Sequence, residues 1–162
     1  VSVLLGERVA AMIANRQPSR KPLDSDLCSL VIIGEPASKA NSRRLVSIKG
    51  RMVPIKSKKA LAYSKDFNNQ CPVLENLYEG DLAIAMKIFY QSKKPDLDES
   101  LVLDLLQGKV YKNDRAVKMK HIEWGLDREY PRSLIVLGPL EKQKEVVSTL
   151  RELVVKDLDS TK

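Results

Sequence analysis

Two aspartates separated by a single residue, Asp96 and Asp98, lie in the acidic stretch at 95–99. In an extended segment the side chains at i and i+2 point the same way, so both carboxylates can converge on one point. Such oxygens suit Mg²⁺, which takes few protein ligands and keeps waters and substrate phosphate oxygens. Asp114, at the start of the next predicted strand, can supply a third carboxylate. We therefore predict a divalent-cation site, with one structural alternative: Asp98 caps a helix and Asp114 fills a turn.

A second feature is a basic stretch at 36–65 that contains no Asp or Glu. Its nine basic residues are Lys39, Arg43, Arg44, Lys49, Arg51, Lys56, Lys58, Lys59 and Lys65. Over the whole chain, 28 Lys and Arg stand against 21 Asp and Glu, which leaves a net charge of +7. A basic surface next to a compact acidic spot is typical of a nuclease, because the basic side chains offset phosphate charge while the carboxylates hold metal. The alternative is an ordinary solvated basic face.

Composition excludes several classes of protein. With 162 residues, 43% of them hydrophobic and 30% charged, the chain has the balance of one globular domain. No apolar run approaches the roughly 20 residues of a membrane-spanning helix, and residues 1–16 lack the pattern of a secretory signal, so we expect a soluble cytoplasmic protein without membrane contacts. Two cysteines outside any CxxC motif and a single histidine, His121, argue against a disulfide framework, a thiolate zinc site and a Ser-His-Asp triad.

The first part of the chain reads as an extension followed by strands and a helix. We predict a short amphipathic helix at 1–16, a linker at 17–28 and a buried strand at 29–34. Two further strands, at 45–48 and 52–55, form a hairpin in which Gly50 takes a positive φ and Pro54 confines its strand to an edge.

A helix follows at 57–69, with Ser57 as its N-cap and its packing side formed by Ala60, Leu61, Ser64 and Phe67. The remaining predicted elements are a strand at 81–90, a helix at 98–107 stopped by Gly108, strands at 115–122 and 133–137, and a helix at 139–155. This order predicts an α+β fold in which helices pack on a mixed or antiparallel sheet.

Three segments of this chain resemble one family. They are Pro95-Asp96-Leu97-Asp98, then Leu103-Asp104-Leu105-Leu106, then Gly108-Lys109-Val110-Tyr111-Lys112-Asn113-Asp114 followed by Ala116-Val117. In this order and spacing they resemble the RusA family of Holliday-junction resolvases, and the segment Gly34 to Arg44 is similar to the family's early strand and the segment after it. The resemblance covers roughly residues 30–137, so we divide the chain into an extension at 1–28 and a RusA-like domain at 29–162.

The resemblance implies a homodimeric, Mg²⁺-dependent endonuclease of phages and prophages, in which Mn²⁺ could replace Mg²⁺. Such an enzyme resolves four-way DNA junctions by paired nicks during recombination and repair, in the cytoplasm of a bacterial cell or phage-infected host. The catalytic, metal-holding acids would be Asp96, Asp98 and Asp114. The DNA-binding residues would be Lys39, Asn41, Arg43, Arg44, Lys58, Lys59, Lys93, Lys94 and Lys118.

Some positions depart from the family pattern. Glu99 replaces the usual Asn, Asn113 stands where the first of two late acids is usual, and the lysine expected one turn after the second Asp is absent. Lys93, Lys94 or Lys118 could replace that lysine in space. Asp104 lies about 240° round an ideal helix from Asp98, so we assign it a structural role.

These departures leave two alternatives from other functional classes. One is a non-catalytic, basic module that binds branched DNA or RNA and whose acids are structural. The other is a protein-interaction module that uses the terminal amphipathic helices.

The number of carboxylate clusters predicts the assembly. The chain carries one cluster and no internal repeat, whereas resolving a junction requires two symmetric cuts. A two-fold homodimer supplies both cuts with the symmetry of the junction itself.

Overall fold

A computed structural model describes residues 27–160, which contain six β-strands and three α-helices. The strands are β1 (Cys28–Ile33), β2 (Arg43–Ile48), β3 (Arg51–Lys56), β4 (Leu82–Tyr90), β5 (Val117–Leu126) and β6 (Arg132–Pro139). The helices are α1 (Lys58–Gln70), α2 (Ser100–Leu106) and α3 (Gln143–Ser160), and short 3-10 turns occupy Asp114–Ala116 and Leu140–Lys142. The predicted helix at 1–16 and nearly all of the linker at 17–28 lie outside the described residues.

The main sheet has four strands in the order β1-β6-β4-β5, and β2 and β3 form a separate two-stranded sheet. Strand β6 pairs antiparallel with both β1 and β4, whereas β4 and β5 run parallel. The predicted α+β class with a mixed sheet is therefore confirmed. Strand β4 is buried along both faces, as its alternation of Leu, Ile and Met with small residues indicates.

Each face of the sheet is covered by helices. On one side, alternate β4 residues from Ile84 to Tyr90 share a hydrophobic core with α1 and α2. On the other, Ala83, Ala85 and Phe89 pack against Val146 and Leu150 of α3. Two layers of helix therefore enclose a single sheet, and loops and strand ends carry the charged residues discussed below.

The hairpin is confirmed in detail. Lys49 and Gly50 both have positive φ, 50° and 76°, which is the two-residue turn that suits the right-handed twist of paired strands. Pro54 lies in β3, which within the described part of the chain has β2 as its one neighbour, so the missing N–H breaks no ladder in the main sheet. Ser57 caps α1, because its hydroxyl accepts a hydrogen bond from the Ala60 amide at 3.2 Å.

Several predicted details were wrong. Leu61 is 51% exposed, and Tyr63 packs in its place on the buried side of α1, which is set by contact with β1 rather than by the apolar residues alone. Strand β5 starts later and extends further than predicted, to Leu126, because a 3-10 turn that Asn113 caps precedes it. The last helix likewise begins at Gln143, after a 3-10 turn.

A buried arginine joins α3 to the sheet. Arg132 is completely buried, and its guanidinium donates to Asp157 of α3 at 2.8 Å from Nε and 2.5 Å from an Nη. The other Nη donates to Asp127 and to the Tyr130 carbonyl, each at 2.7 Å. The Phe89 ring lies 4.1 Å from the guanidinium carbon. The guanidinium of Arg132 thus donates hydrogen bonds to the carboxylate of Asp157, which is itself buried.

Of the helices between residues 27 and 160, none has both the length and the apolar character needed to cross a bilayer.

Candidate functional site

Strand β4 leads directly into the segment that carries the predicted carboxylates. Tyr90, its last residue, accepts a hydrogen bond on its hydroxyl from the Asp98 amide at 3.2 Å. The Tyr90 ring stacks on Trp124 of β5, with centroids 6.2 Å apart and planes at 18°. The end of the sheet therefore holds the backbone at Asp98 in place.

The Asp98 carboxylate connects two distant parts of the chain. Its Oδ2 accepts the Lys39 amide at 2.6 Å, and its Oδ1 accepts the Ser100 amide at 2.9 Å, where α2 begins. Partial burial raises the pKa of Asp98, but the hydrogen bonds from Ser100 and Lys39 outweigh burial and hold that pKa below its usual range. The basic stretch at 36–65 therefore touches the acidic stretch through Lys39.

Two further carboxylates accompany Asp98 near the Tyr90 hydroxyl. Burial first, and then the negative charges of Asp98, Glu35 and Glu99, raise the pKa of Tyr90. Glu35 accepts the Gln91 amide at 3.2 Å and pairs with Lys59 at 3.3 Å.

Glu99 is paired with a lysine that the sequence analysis did not consider. The Lys120 ammonium lies 2.7 Å from Glu99, so within residues 27–160 Lys120, rather than Lys93, Lys94 or Lys118, forms the ion pair with the acidic stretch. Lys120 lies opposite Ile84 in the sheet, on the face that α1 and α2 cover. Its place in the β5 alternation was visible in the sequence. The parallel pairing that brings it to Glu99 was not.

The other two predicted metal ligands, Asp96 and Asp114, have different surroundings from Asp98. Asp96 is exposed, and Asp114 opens the 3-10 turn before β5, with its amide donating to Gln107 at 3.3 Å. Val117, just after that turn, pairs with Leu82 at the start of β4, whereas Tyr90 ends the same strand. Within residues 27–160, no three or more His, Cys, Asp or Glu side chains are grouped closely enough to hold a metal ion. The structure therefore does not bring Asp96, Asp98 and Asp114 together, and their metal role stays a prediction.

The predicted DNA-binding residues are all exposed: Lys39, Asn41, Arg43, Arg44, Lys58, Lys59, Lys93, Lys94 and Lys118. Six of them follow one continuous path through the turn at 38–42, the hairpin and the start of α1. Ser57 holds this path together, since its hydroxyl donates to the Asn41 carbonyl at 2.7 Å and its amide to the Ser42 carbonyl at 2.8 Å. We call residues 38–59 the basic arm.

Three ring-bearing side chains near the site have structural environments. Tyr111 is buried and its hydroxyl donates to the Leu103 carbonyl at 2.7 Å, so it is a core aromatic. Trp124 is partly buried against Tyr90. His121 is partly buried and lies 2.8 Å from Glu123 on the same strand.

The Asp98 contact predicts a specific pH dependence. The pKa of Asp98 in the folded protein is below the ordinary aspartate value of about 3.9. The contact therefore stabilises the folded arm at pH values above about 3.9, and it is lost as the pH falls through the folded pKa of Asp98. The NMR shift of the Lys39 amide proton should therefore titrate with an apparent pKa below about 3.9. Asp98→Asn should remove that titration. A midpoint at or above the ordinary value would contradict the hydrogen-bonded geometry.

No protein-family model matches this sequence, and a search of curated proteins finds no significant match.

Proposed function

We propose that this protein is a Mg²⁺-dependent, structure-selective endodeoxyribonuclease that acts as a homodimer and nicks four-way DNA junctions. The observation that carries the proposal is the 2.6 Å hydrogen bond from the Lys39 amide to Asp98, which places an exposed arm without acids directly against a carboxylate segment. A nuclease needs this adjacency, because the phosphate that the basic side chains attract must also reach the carboxylates.

The donor set at Asp98 is compatible with a metal. A carboxylate has about four lone-pair positions, and the amides of Lys39 and Ser100 and the side chain of Ser100 occupy three of them, so one acceptor position remains. Asp98 and the exposed Asp96 would hold Mg²⁺. The family resemblance implies Asp114 as a third ligand, although the structure does not group it with the other two. The ion would polarise the scissile phosphate and lower the pKa of a water nucleophile. Lys120 pairs with Glu99 of the same segment, and Glu35 holds the backbone before that segment at Gln91.

Cleavage of a synthetic four-way junction by the purified chain tests the proposal. We expect nicks at symmetric positions in Mg²⁺, none in EDTA, and far weaker cleavage of a linear duplex with the same arm sequence. Absence of metal-dependent nicking, under conditions in which the junction is bound, would refute the enzymatic function.

One observation favours a second candidate, a non-catalytic module that binds branched DNA or RNA. Both Asp98 oxygens accept backbone N–H groups, and Glu99 is paired with Lys120, which are the contacts of carboxylates that stabilise a loop. In that case the junction binds with salt-dependent affinity, no strand is cut, and removing divalent metal leaves binding unchanged.

Either candidate predicts that the basic arm binds phosphates. Arg43→Ala/Arg44→Ala, and separately Lys58→Ala/Lys59→Ala, should weaken binding to all branched DNA because each side chain is exposed on the arm. The slope of log affinity against log salt concentration should fall by about one unit for each phosphate contact removed. Fluorescence anisotropy titrations at several salt concentrations measure both quantities.

A matched control uses two lysines of α3, which covers the opposite face of the sheet. Lys144→Ala/Lys156→Ala removes the same charge from exposed positions and should leave the salt slope nearly unchanged. Equal slopes for wild type and both arm variants would place the basic arm away from the DNA.

A further inference from the structure

The β2–β3 hairpin, which we call the ribbon, has a surface that the proposed chemistry does not explain. Among residues 27–160 it joins no larger sheet, since its two strands pair there only with each other. A two-stranded hairpin alone in water is marginally stable, so a ribbon of this kind usually gains stability from something packed against it.

The two faces of the ribbon differ. Directly paired residues share a face, and the pairs Leu45–Pro54 and Ser47–Met52 therefore lie on one side. On that side Leu45 is 65% exposed and Met52 63% exposed, and Pro54 between them is also exposed. We call these three residues the apolar ribbon face.

The opposite face is partly covered. Its central pair, Val46 and Val53, is half-buried, as is Ile55 nearer the base of the ribbon. Ile48, next to the turn on this opposite face, is 50% exposed, so the larger share of the exposed apolar side chains lies on the apolar ribbon face. Contiguous exposed apolar surface of this kind marks an interaction site.

Charge selects the occupant of this face. The ribbon carries five basic residues and no acid: Arg43, Arg44, Lys49, Arg51 and Lys56. Arg43 and Lys56 pair at the base of the apolar ribbon face itself. A second copy of the chain docked ribbon to ribbon would bring these like charges together, whereas a polyanion would be attracted to all five.

Nucleic acid is the polyanion that also offers apolar surface, between its stacked bases. Proteins that bend or open duplexes insert apolar side chains such as Leu and Met into base steps, with Arg and Lys alongside on the backbone. We infer that the apolar ribbon face inserts Leu45 and Met52 into a base step at the branch point of bound DNA. This inference rests on the proposed DNA-binding function and specifies how the junction is recognised.

The position of the ribbon fits this role. The backbone hydrogen bond from Ser57 to Ser42 fixes the base of the ribbon. Ser42 lies three residues after Lys39, whose amide donates to Asp98. A β-strand of six residues extends about 20 Å. Successive phosphates of one DNA strand lie about 3.4 Å apart along the axis of the duplex. The apolar ribbon face can thus reach a base step within about six base pairs of a phosphate held at the ribbon's base.

Fluorescence of 2-aminopurine tests the insertion with the full chain. One four-way junction carries the analogue at the branch point and another carries it in the middle of an arm, both without Mg²⁺. Saturating wild-type protein should raise the branch-point fluorescence and leave the mid-arm fluorescence unchanged. Leu45→Ser/Met52→Ser should lose more than about half of the increase, because the unstacking wedge is gone. Its salt slope should stay at the wild-type value, since no charge is removed.

Leu61→Ser/Val73→Ser is the matched control, because it removes two comparably exposed apolar side chains from outside the ribbon. It should keep the full branch-point signal, and both double variants should keep the wild-type circular dichroism and thermal midpoint. An equal branch-point signal in the wild type and the ribbon variant, or no signal in bound wild type, overturns the inference. So does a change from dimer to monomer in the ribbon variant with the signal intact, which would assign the face to a second copy.

Parallel nicking assays separate this inference from the proposed function. A branch-point signal that depends on Leu45 and Met52, without any nicking in Mg²⁺, would support insertion of the apolar ribbon face and refute the nuclease activity. Nicking without a branch-point signal would support the nuclease activity and refute the insertion. Failure of the wild type to bind the junction would overturn both.

Discussion

Asp98→Asn should reduce Mg²⁺-dependent nicking of a four-way junction by at least about 100-fold, because outer partners of metal ligands alone are worth about 10- to 100-fold. The amide keeps the shape of the side chain and removes the charge that would hold the metal and repel the phosphate. Junction binding should therefore stay at the wild-type level or become tighter. Initial nicking rates at saturating protein, together with anisotropy titrations, measure the two effects separately. Asp96→Asn and Asp114→Asn should also abolish nicking.

The geometry sharpens this experiment. Asp98 accepts amides on both oxygens, whereas an asparagine offers one acceptor oxygen and one donor NH₂, so one of the two hydrogen bonds must be lost. If binding falls as steeply as nicking, the carboxylate serves mainly to position the arm rather than to hold the metal. Asp104→Asn is the control, since Asp104 is an exposed acid of α2. It should nick at nearly the wild-type rate, and near-normal nicking by Asp98→Asn would refute the carboxylate assignment.

Arg132→Met should lower the free energy of unfolding by about 3–5 kcal/mol, the usual cost of leaving one member of a buried ion pair without its partner. The methionine fills much of the same volume, but Asp157 then stays buried between α3 and the sheet without its ion pair to the guanidinium. The contact of the guanidinium with Phe89 is lost as well. Urea denaturation followed by circular dichroism measures the change.

The double variant Arg132→Met/Asp157→Leu is the internal control. Replacing both members of a buried pair by apolar groups is often neutral or stabilising, so this variant should recover most of the loss. Asp127, the second acceptor of Arg132, keeps contact with solvent and tolerates the change. If the double variant is as unstable as Arg132→Met, the loss comes from packing around Phe89 rather than from an unpaired charge.

Local elements of this protein followed from the sequence because their causes are local. The alternation at 82–90 marks β4, Lys49-Gly50 supplies the positive φ angles of the hairpin, and Ser57 supplies the cap of α1. Each signal lies within a few residues of the element that it specifies. The hydrophobic periodicity of a segment, or a single turn residue, is therefore enough to predict that element. The basic arm was also visible, because nine cations without an acid in thirty residues leave few alternatives to an exposed surface.

Only the tertiary structure decided which of these elements meet. The parallel pairing of β4 with β5 brings Lys120 to Glu99, and the docking of the arm brings the Lys39 amide to Asp98, 59 positions away. The same packing turned Tyr63 inward instead of Leu61, and it did not group Asp96, Asp98 and Asp114 into one cluster. Contacts between distant segments depend on strand order and register, and neither leaves a periodic trace in the sequence. The aspartates were therefore recognisable as residues capable of holding a metal, whereas their partners depended on how the sheet assembles.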